Sequence, residues 1–198
     1  MAMIKVMHRI NSIQGLSCVP EEFGVEVDIR NDGKNLILSH EPSGGGESLG
    51  EFCKKFRHRL LVLNVKSEGI EEQACVIAEE NGITDYFLLD LSMPSLIRLS
   101  ERIGKGHIAA RFSEYEPIES VLCLAKKAGW VWVDTFTRLP LTPASYSMIR
   151  EAGLKICLVD PERWGRAGEI RKYRGHLKRN AMEIDAVMTT AAHAAEWD

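Results

Sequence analysis

No apolar run in this 198-residue chain is long enough to cross a bilayer as a helix. The opening MAMIKVMHRI lacks the charged, apolar and cleavage regions of an export signal, so a cytoplasmic protein is expected. Nor is there a Pro/Ser-rich or low-complexity linker, which leaves residues 1–198 as one domain with one core. The five cysteines, Cys18, Cys53, Cys75, Cys123 and Cys157, are scattered and form no CxxC pair, which reads as reduced core thiols. A net charge of -3 gives no whole-molecule attraction to nucleic acid or to an anionic membrane. The partner expected is therefore a small molecule, not nucleic acid, and homo-oligomerisation is left open. The glycine run in PSGGGES has no GK[ST] after it, which excludes a Walker loop.

What the chain does have is repetition of strand and helix. Short apolar runs occur at KVMHRI (5–10), GVEVDIR with its return NLILSH (24–40), LLVLNVK (60–66) and DYFLLDL (85–91). They continue at HIAARF (107–112), WVWVDTF (130–136), KICLVDP (155–161) and IDAVMTT (184–190), giving eight strand positions. Amphipathic segments fill most intervals: SLGEFCKKF, IEEQACVIAEENG, SMPSLIRLSERIG, EPIESVLCLAKKAG, TPASYSMIREAG and EIRKYRGHLKRN. Ser48 with Glu51 predicts a capping box, Pro94, Pro117 and Pro143 mark helix starts, and Gly82, Gly104, Gly129 and Gly153 mark helix ends. Eight alternations predict a compact α/β fold, a (β/α)8 TIM barrel, with an open doubly wound sheet as the alternative. NSIQGLSCVPEE is too short and broken for a full helix, so the first crossover should be reduced.

Active sites of barrels form at the C-terminal strand ends. Here those ends carry His8, Asp28, His40, Lys66, Asp90, Arg111, Asp134 and Asp160. Glu26 and Asp28 lie two apart on one strand and so share a face. Two carboxylates side by side raise each other's proton affinity, which a hard cation such as Mg²⁺ or Ca²⁺ relieves; pairing with Arg9, Lys66 or Arg111 is the plainer alternative. His8 and His40 suit one acid and one base about a reacting phosphorus, with Arg9 and Lys66 on its non-bridging oxygens. Arg111, Asp90 and Asp134 are assigned to substrate and phosphate contacts on the same rim. Trp130 and Trp132 share a face with Asp134, and core packing is their favoured role.

The HR at 8–9, EVD at 26–28, DG at 32–33, His40 and NVK at 64–66 resemble the glycerophosphodiester phosphodiesterase branch of the TIM-barrel phosphodiesterases, which also include phosphatidylinositol-specific phospholipase C. The motifs cover about the first third of the chain. The resemblance implies metal-assisted attack on a phosphodiester by a substrate hydroxyl or by water, with His8 and His40 sharing acid and base roles. Glu26 and Asp28 would hold the metal. Asn64 stands where the family usually has an acidic ligand; its carbonyl oxygen can coordinate a hard cation, with one negative charge fewer. Ile10 replaces the glycine usual after HR, His40 is followed by Glu41 instead of Asp, and the ENT-like segment is absent. Two other readings stay open: a non-catalytic phosphate- or nucleotide-sugar-binding protein on a degenerate barrel, and a sugar-phosphate isomerase or aldolase using Lys66.

Overall fold

Alternating Val, Ile and Leu build ten strands into one sheet in a computed structural model that describes residues 2–198. Eight run parallel: β1 (Ile4–Met7), β2 (Gly24–Asp32), β5 (Leu60–Val65), β6 (Tyr86–Leu89), β7 (Ala109–Phe112), β8 (Trp130–Val133), β9 (Lys155–Val159) and β10 (Ala186–Thr189). Their ladders follow the order β6-β5-β2-β1-β10-β9-β8-β7. The two ends of this series, β6 and β7, meet through the single parallel bridge Leu88–Ile108. The return NLILSH supplies β3 (Asn35–Leu38), antiparallel to β2, and β4 (Glu47–Ser48) pairs with β3.

Period-two alternation divides the sheet into two faces. One packs against the helices: Val25, Val27, Leu61, Leu63, Val131 and Val133 join Leu49, Phe52, Ala74, Leu99 and Ile149 in the larger core. The other packs on itself, since Val6, Val62, Phe87, Leu89, Trp130, Trp132, Val159 and Met188 form a cluster made from strands alone. This is the face of Glu26 and Asp28. Gly24 permits the close approach of strands there, because a Cβ would lie 2.9 Å from the Leu60 carbonyl oxygen.

The helices α2 (Leu49–Lys55), α3 (Glu71–Glu80), α4 (Met93–Ser100), α5 (Ile118–Cys123), α6 (Pro143–Glu151) and α7 (Ile170–Arg179) fall in the predicted intervals, and α1 (Ile13–Ser17) is the reduced first crossover. Capping differs in detail. Ser48 accepts from the Glu51 amide without the reciprocal bond, and the complete capping box belongs to Thr142 and Ser145. Cys18 and Cys123 are exposed, a correction to the reading of all five thiols as core; Cys53, Cys75 and Cys157 are buried. Burial pushes the Cys53 thiol up to about 12 and that of Cys75 to about 11, leaving neither as a nucleophile at neutral pH. No helix among the described residues is long and apolar enough to cross a membrane.

Candidate active site

At the C-terminal ends of the parallel strands lies a cavity of about 180 Å³. It is lined by His8, Arg9, Glu26, Asp28, His40, Asn64, Lys66, Asp90, Arg111 and Asp134, so all of the strand-end rim but the buried Asp160 reaches one space. Arg163, Trp164, Phe136 and Trp132 complete the wall. A larger hollow of about 1170 Å³ at the opposite strand ends contains none of these side chains.

The carboxylate pair is built by β2 and fixed by its neighbours. Asp28 lies in register with Asn64 on β5, and both carboxylates are 1% exposed. The Glu26 carboxylate accepts from the Arg9 backbone N–H at Oε2 and from Asn64 Nδ2 at Oε1, each at 2.8 Å. Arg9 reaches that position with φ of 55°, a left-handed conformation uncommon for a residue with a side chain. Asn11 clasps Asp28, donating to Oδ2 at 2.9 Å and accepting the Asp28 N–H at 2.8 Å. Lys66 Nζ is 3.5 Å from Asp28 Oδ1 and 3.3 Å from Asp90 Oδ2. Burial, then the charge of Asp28, pushes Glu26 up to about 7.

The histidines stand on opposite sides of this pair in sequence and differ in setting. His8 Nε2 is 4.0 Å from Glu26 Oε2, and its side chain is 17% exposed. Burial, followed by the charges of Arg163 and Arg9, lowers it to about 4, so it is neutral at physiological pH. His40 is more open. Its Nδ1 is 2.9 Å from Glu41 Oε1, and its Nε2 has no hydrogen-bond partner among the described residues. Its backbone is pinned by Arg30, whose guanidinium donates to the carbonyl oxygens of both His40 and Lys66. Arg30 and Asn11 position the site without lining it, and strand periodicity gave no sign of either.

Across the cavity a chain of charge runs from Lys66 through Asp90 and Arg111 to Asp134. Arg111 also reaches Glu116 at 3.1 Å, and Asp134 accepts from the Trp164 indole N–H at 2.9 Å. Asp90 has φ of 62°, the second strained backbone at the site. Trp132 is 4% exposed and packs with Phe87, as a core residue should, yet one side lines the cavity.

The oxygens test whether a divalent cation suits these residues. Asp28 Oδ1 and Asn64 Oδ1 are buried and accept no hydrogen bond. Hard cations take such oxygen ligands, and positive charge beside Glu26 would favour its ionised form. Among the described residues no three His, Cys, Asp or Glu side chains are grouped for a metal. The Asn64 amide oxygen is therefore needed to complete any set, and the oxygens of Glu26, Asp28 and Asn64 are of the kind that fits a hard cation.

The fold and the polar strand ends define a parallel α/β protein with its candidate chemistry at the C-terminal face of the sheet. Its fold is that of the glycerophosphodiester phosphodiesterases. The chain is similar to the glycerophosphodiester phosphodiesterase of Agrobacterium tumefaciens, with 13% identity, TM-score 0.70 and coverage of 94% of this chain and 96% of that one. It is also similar to a glycerophosphoryl diester phosphodiesterase of Parabacteroides distasonis (15% identity, TM-score 0.64, 98% and 85% covered). A third similar structure is an Oleispira antarctica phosphodiesterase in complex with the product sn-glycerol-3-phosphate (15% identity, TM-score 0.63, 93% and 92% covered). No family model matches the sequence, and no curated protein matches it significantly.

Proposed function

We propose that this chain closes into a (β/α)8 barrel and is a metal-dependent phosphodiesterase acting on a glycerol- or sugar-linked phosphodiester. The observation that carries this reading is the convergence of His8, His40, Glu26, Asp28 and Lys66 on one cavity in a phosphodiesterase fold. Glu26, Asp28 and Asn64 would hold Mg²⁺ or Ca²⁺, which would supply positive charge to the phosphoryl oxygens when bound. Neutral His8 accepts the proton of the attacking hydroxyl or water. His40, oriented through Nδ1 by Glu41, gives a proton to the leaving oxygen. Arg9 and Lys66 bind the non-bridging oxygens and stabilise the charge that builds there in the transition state. Arg111 is tied by three carboxylates and acts by holding Asp90 and Asp134 in place.

A binding protein without turnover is favoured by one feature, the amide of Asn64 in place of a third charge at the cation set. Phosphorus NMR decides between them. Glycerophosphodiesters and sugar phosphodiesters are incubated with the protein in Mg²⁺, Ca²⁺ or chelator, beside a His40→Ala control. A cyclic phosphate or monoester that requires both metal and His40 supports the enzyme. Ligand-dependent thermal stabilisation without product would replace it with the binding protein.

A further inference from the structure

Four cations line the cavity: Arg9, Lys66, Arg111 and Arg163. Three are held by carboxylates. Arg9 Nε is 3.8 Å from Asp28, Lys66 is shared by Asp28 and Asp90, and Arg111 is shared by Asp90, Glu116 and Asp134. Arg163 differs. Among the described residues its guanidinium has no carboxylate within 4.0 Å and no hydrogen-bond partner, although it is only partly exposed. It lies over the Trp164 ring at 4.9 Å from the centroid, and the Trp164 indole N–H is fixed on Asp134.

The segment carrying Arg163 is tied down by its own hydrogen bonds. Residues Pro161–Trp164 form one turn of 3₁₀ helix directly after β9, capped by the Asp160 side chain on the Glu162 N–H at 2.8 Å. The Arg163 N–H bonds the Asp160 carbonyl oxygen, and Gly165 closes the turn with φ of 74°. Asp160 is itself fully buried and receives the Thr189 hydroxyl and the Trp197 indole N–H, each at 2.7 Å. A guanidinium placed this firmly and left without an anion is a site waiting for one.

We infer that Arg163, presented on the face of Trp164, is a catalytic residue that binds the non-bridging oxygens of the substrate phosphate. This rests on the phosphodiesterase reading and deepens it. Arg9 and Lys66 are partly neutralised by Asp28, so Arg163 brings the uncompensated positive charge to a monoanionic diester. The planar fork suits two phosphoryl oxygens better than a lysine ammonium would.

The test compares Arg163→Met and Arg163→Lys with the wild type in diester turnover and in calorimetric binding of inorganic phosphate and sn-glycerol 3-phosphate. Losing a charge-assisted contact should lower both kcat/KM and phosphate affinity about 10- to 100-fold in Arg163→Met, at unchanged thermal stability. Arg163→Lys should recover part of the affinity. Trp164→Ala should weaken binding in the wild type and add little in the Arg163→Met background, because the two act as a unit. An Arg163→Met protein with wild-type turnover and wild-type phosphate affinity overturns the inference alone. A wild type that neither cleaves diesters nor binds phosphate overturns it together with the phosphodiesterase reading. A wild type that binds without cleaving still supports Arg163 if the affinity falls in the variant.

Discussion

Replacing Glu26 by Gln should make the cation-free protein more stable above neutrality while removing its response to divalent cations. Glu26 is buried beside Asp28 and is pushed from 4.5 up to about 7. At low pH the carboxyl is protonated in both folded and unfolded chains, and its ionisation contributes nothing. As pH rises from 4.5 to about 7 the unfolded chain loses this proton and the native one keeps it, so stability falls. Above that window the full difference stands against the native state. A shift of this size corresponds to about 3 kcal/mol, an upper figure for so buried a group.

The Glu26→Gln variant removes that ionisation at little steric cost. The new side-chain carbonyl can accept the Arg9 N–H, and the new amide can donate to Asn64 Oδ1, which is unpartnered in the wild type, once the Asn64 amide turns over. Urea denaturation in chelator at about pH 5 and about pH 8 measures the effect as a double difference, in which titrating groups that do not interact with Glu26 cancel. The variant should gain on the order of 2–3 kcal/mol relative to wild type between those conditions. Mg²⁺ or Ca²⁺ should then stabilise the wild type at the higher pH in proportion to ligand excess, and the variant much less. An unchanged difference between the two conditions would refute the idea that burial, followed by the charge of Asp28, pushes the Glu26 carboxyl up.

Three further outcomes are expected. His40→Ala should lower kcat about 10²- to 10⁴-fold, as loss of a general acid does, with urea stability within about 0.5 kcal/mol because the ring is 39% exposed. Asn64→Glu should raise divalent-cation affinity at least about tenfold in calorimetry, and should destabilise the protein in chelator through a third carboxylate at one point. At saturating divalent cation, where Glu26 is held ionised, the pH profile of kcat/KM should hold as acidity increases past the 6.5 of free imidazole and fall through about pH 4, where His8 becomes protonated; a limb at 6.5 that does not move as the cation concentration is raised would show that His8 is not the base.

Periodicity exposed most of the scaffold, because a side chain two positions from Val27 or Val62 must return to the same face. That rule put Glu26 with Asp28 and Trp130 with Trp132 and Asp134. The sequence also read the break after β1, where Pro20 and the small residues around Gly15 leave only α1. What stayed hidden were partnerships between distant segments. Arg30 reads as one more strand charge until its guanidinium is seen joining His40 to Lys66. Asn11 reads as a loop residue until it clasps Asp28. Asp90, Arg111 and Asp134 read as three separate rim residues until Arg111 is seen joining the two carboxylates. Arg163 and Trp164 sit in a short turn-forming segment with no period, so only the fold brings them to the cavity.

The double attachment of Lys66 makes a last prediction, that cation and phosphate bind cooperatively. Lys66 is 3.5 Å from Asp28 and 3.3 Å from Asp90, and Arg9 is 3.8 Å from Asp28. With no cation bound, these two positive groups balance the carboxylate pair and are poorly available to a phosphate. Divalent charge at Glu26 and Asp28 would weaken the hold of Asp28 on both, so each would turn more of its charge toward the cavity. Linkage requires the reverse as well: phosphate on Lys66 and Arg9 relieves their repulsion of the cation and raises its affinity by the same factor. A coupling of about 1–3 kcal/mol, or roughly 5- to 150-fold, is the usual scale for such an exchange. Calorimetry of sn-glycerol 3-phosphate in chelator and in saturating Mg²⁺ measures it one way, and Mg²⁺ titration with and without the phosphate measures it the other. Lys66→Met should weaken phosphate binding and remove most of the coupling. Equal phosphate affinity with and without Mg²⁺ would mean that Asp28 holds Lys66 whatever occupies the carboxylate pair, and Lys66 would then be a structural counter-ion and not a phosphate ligand.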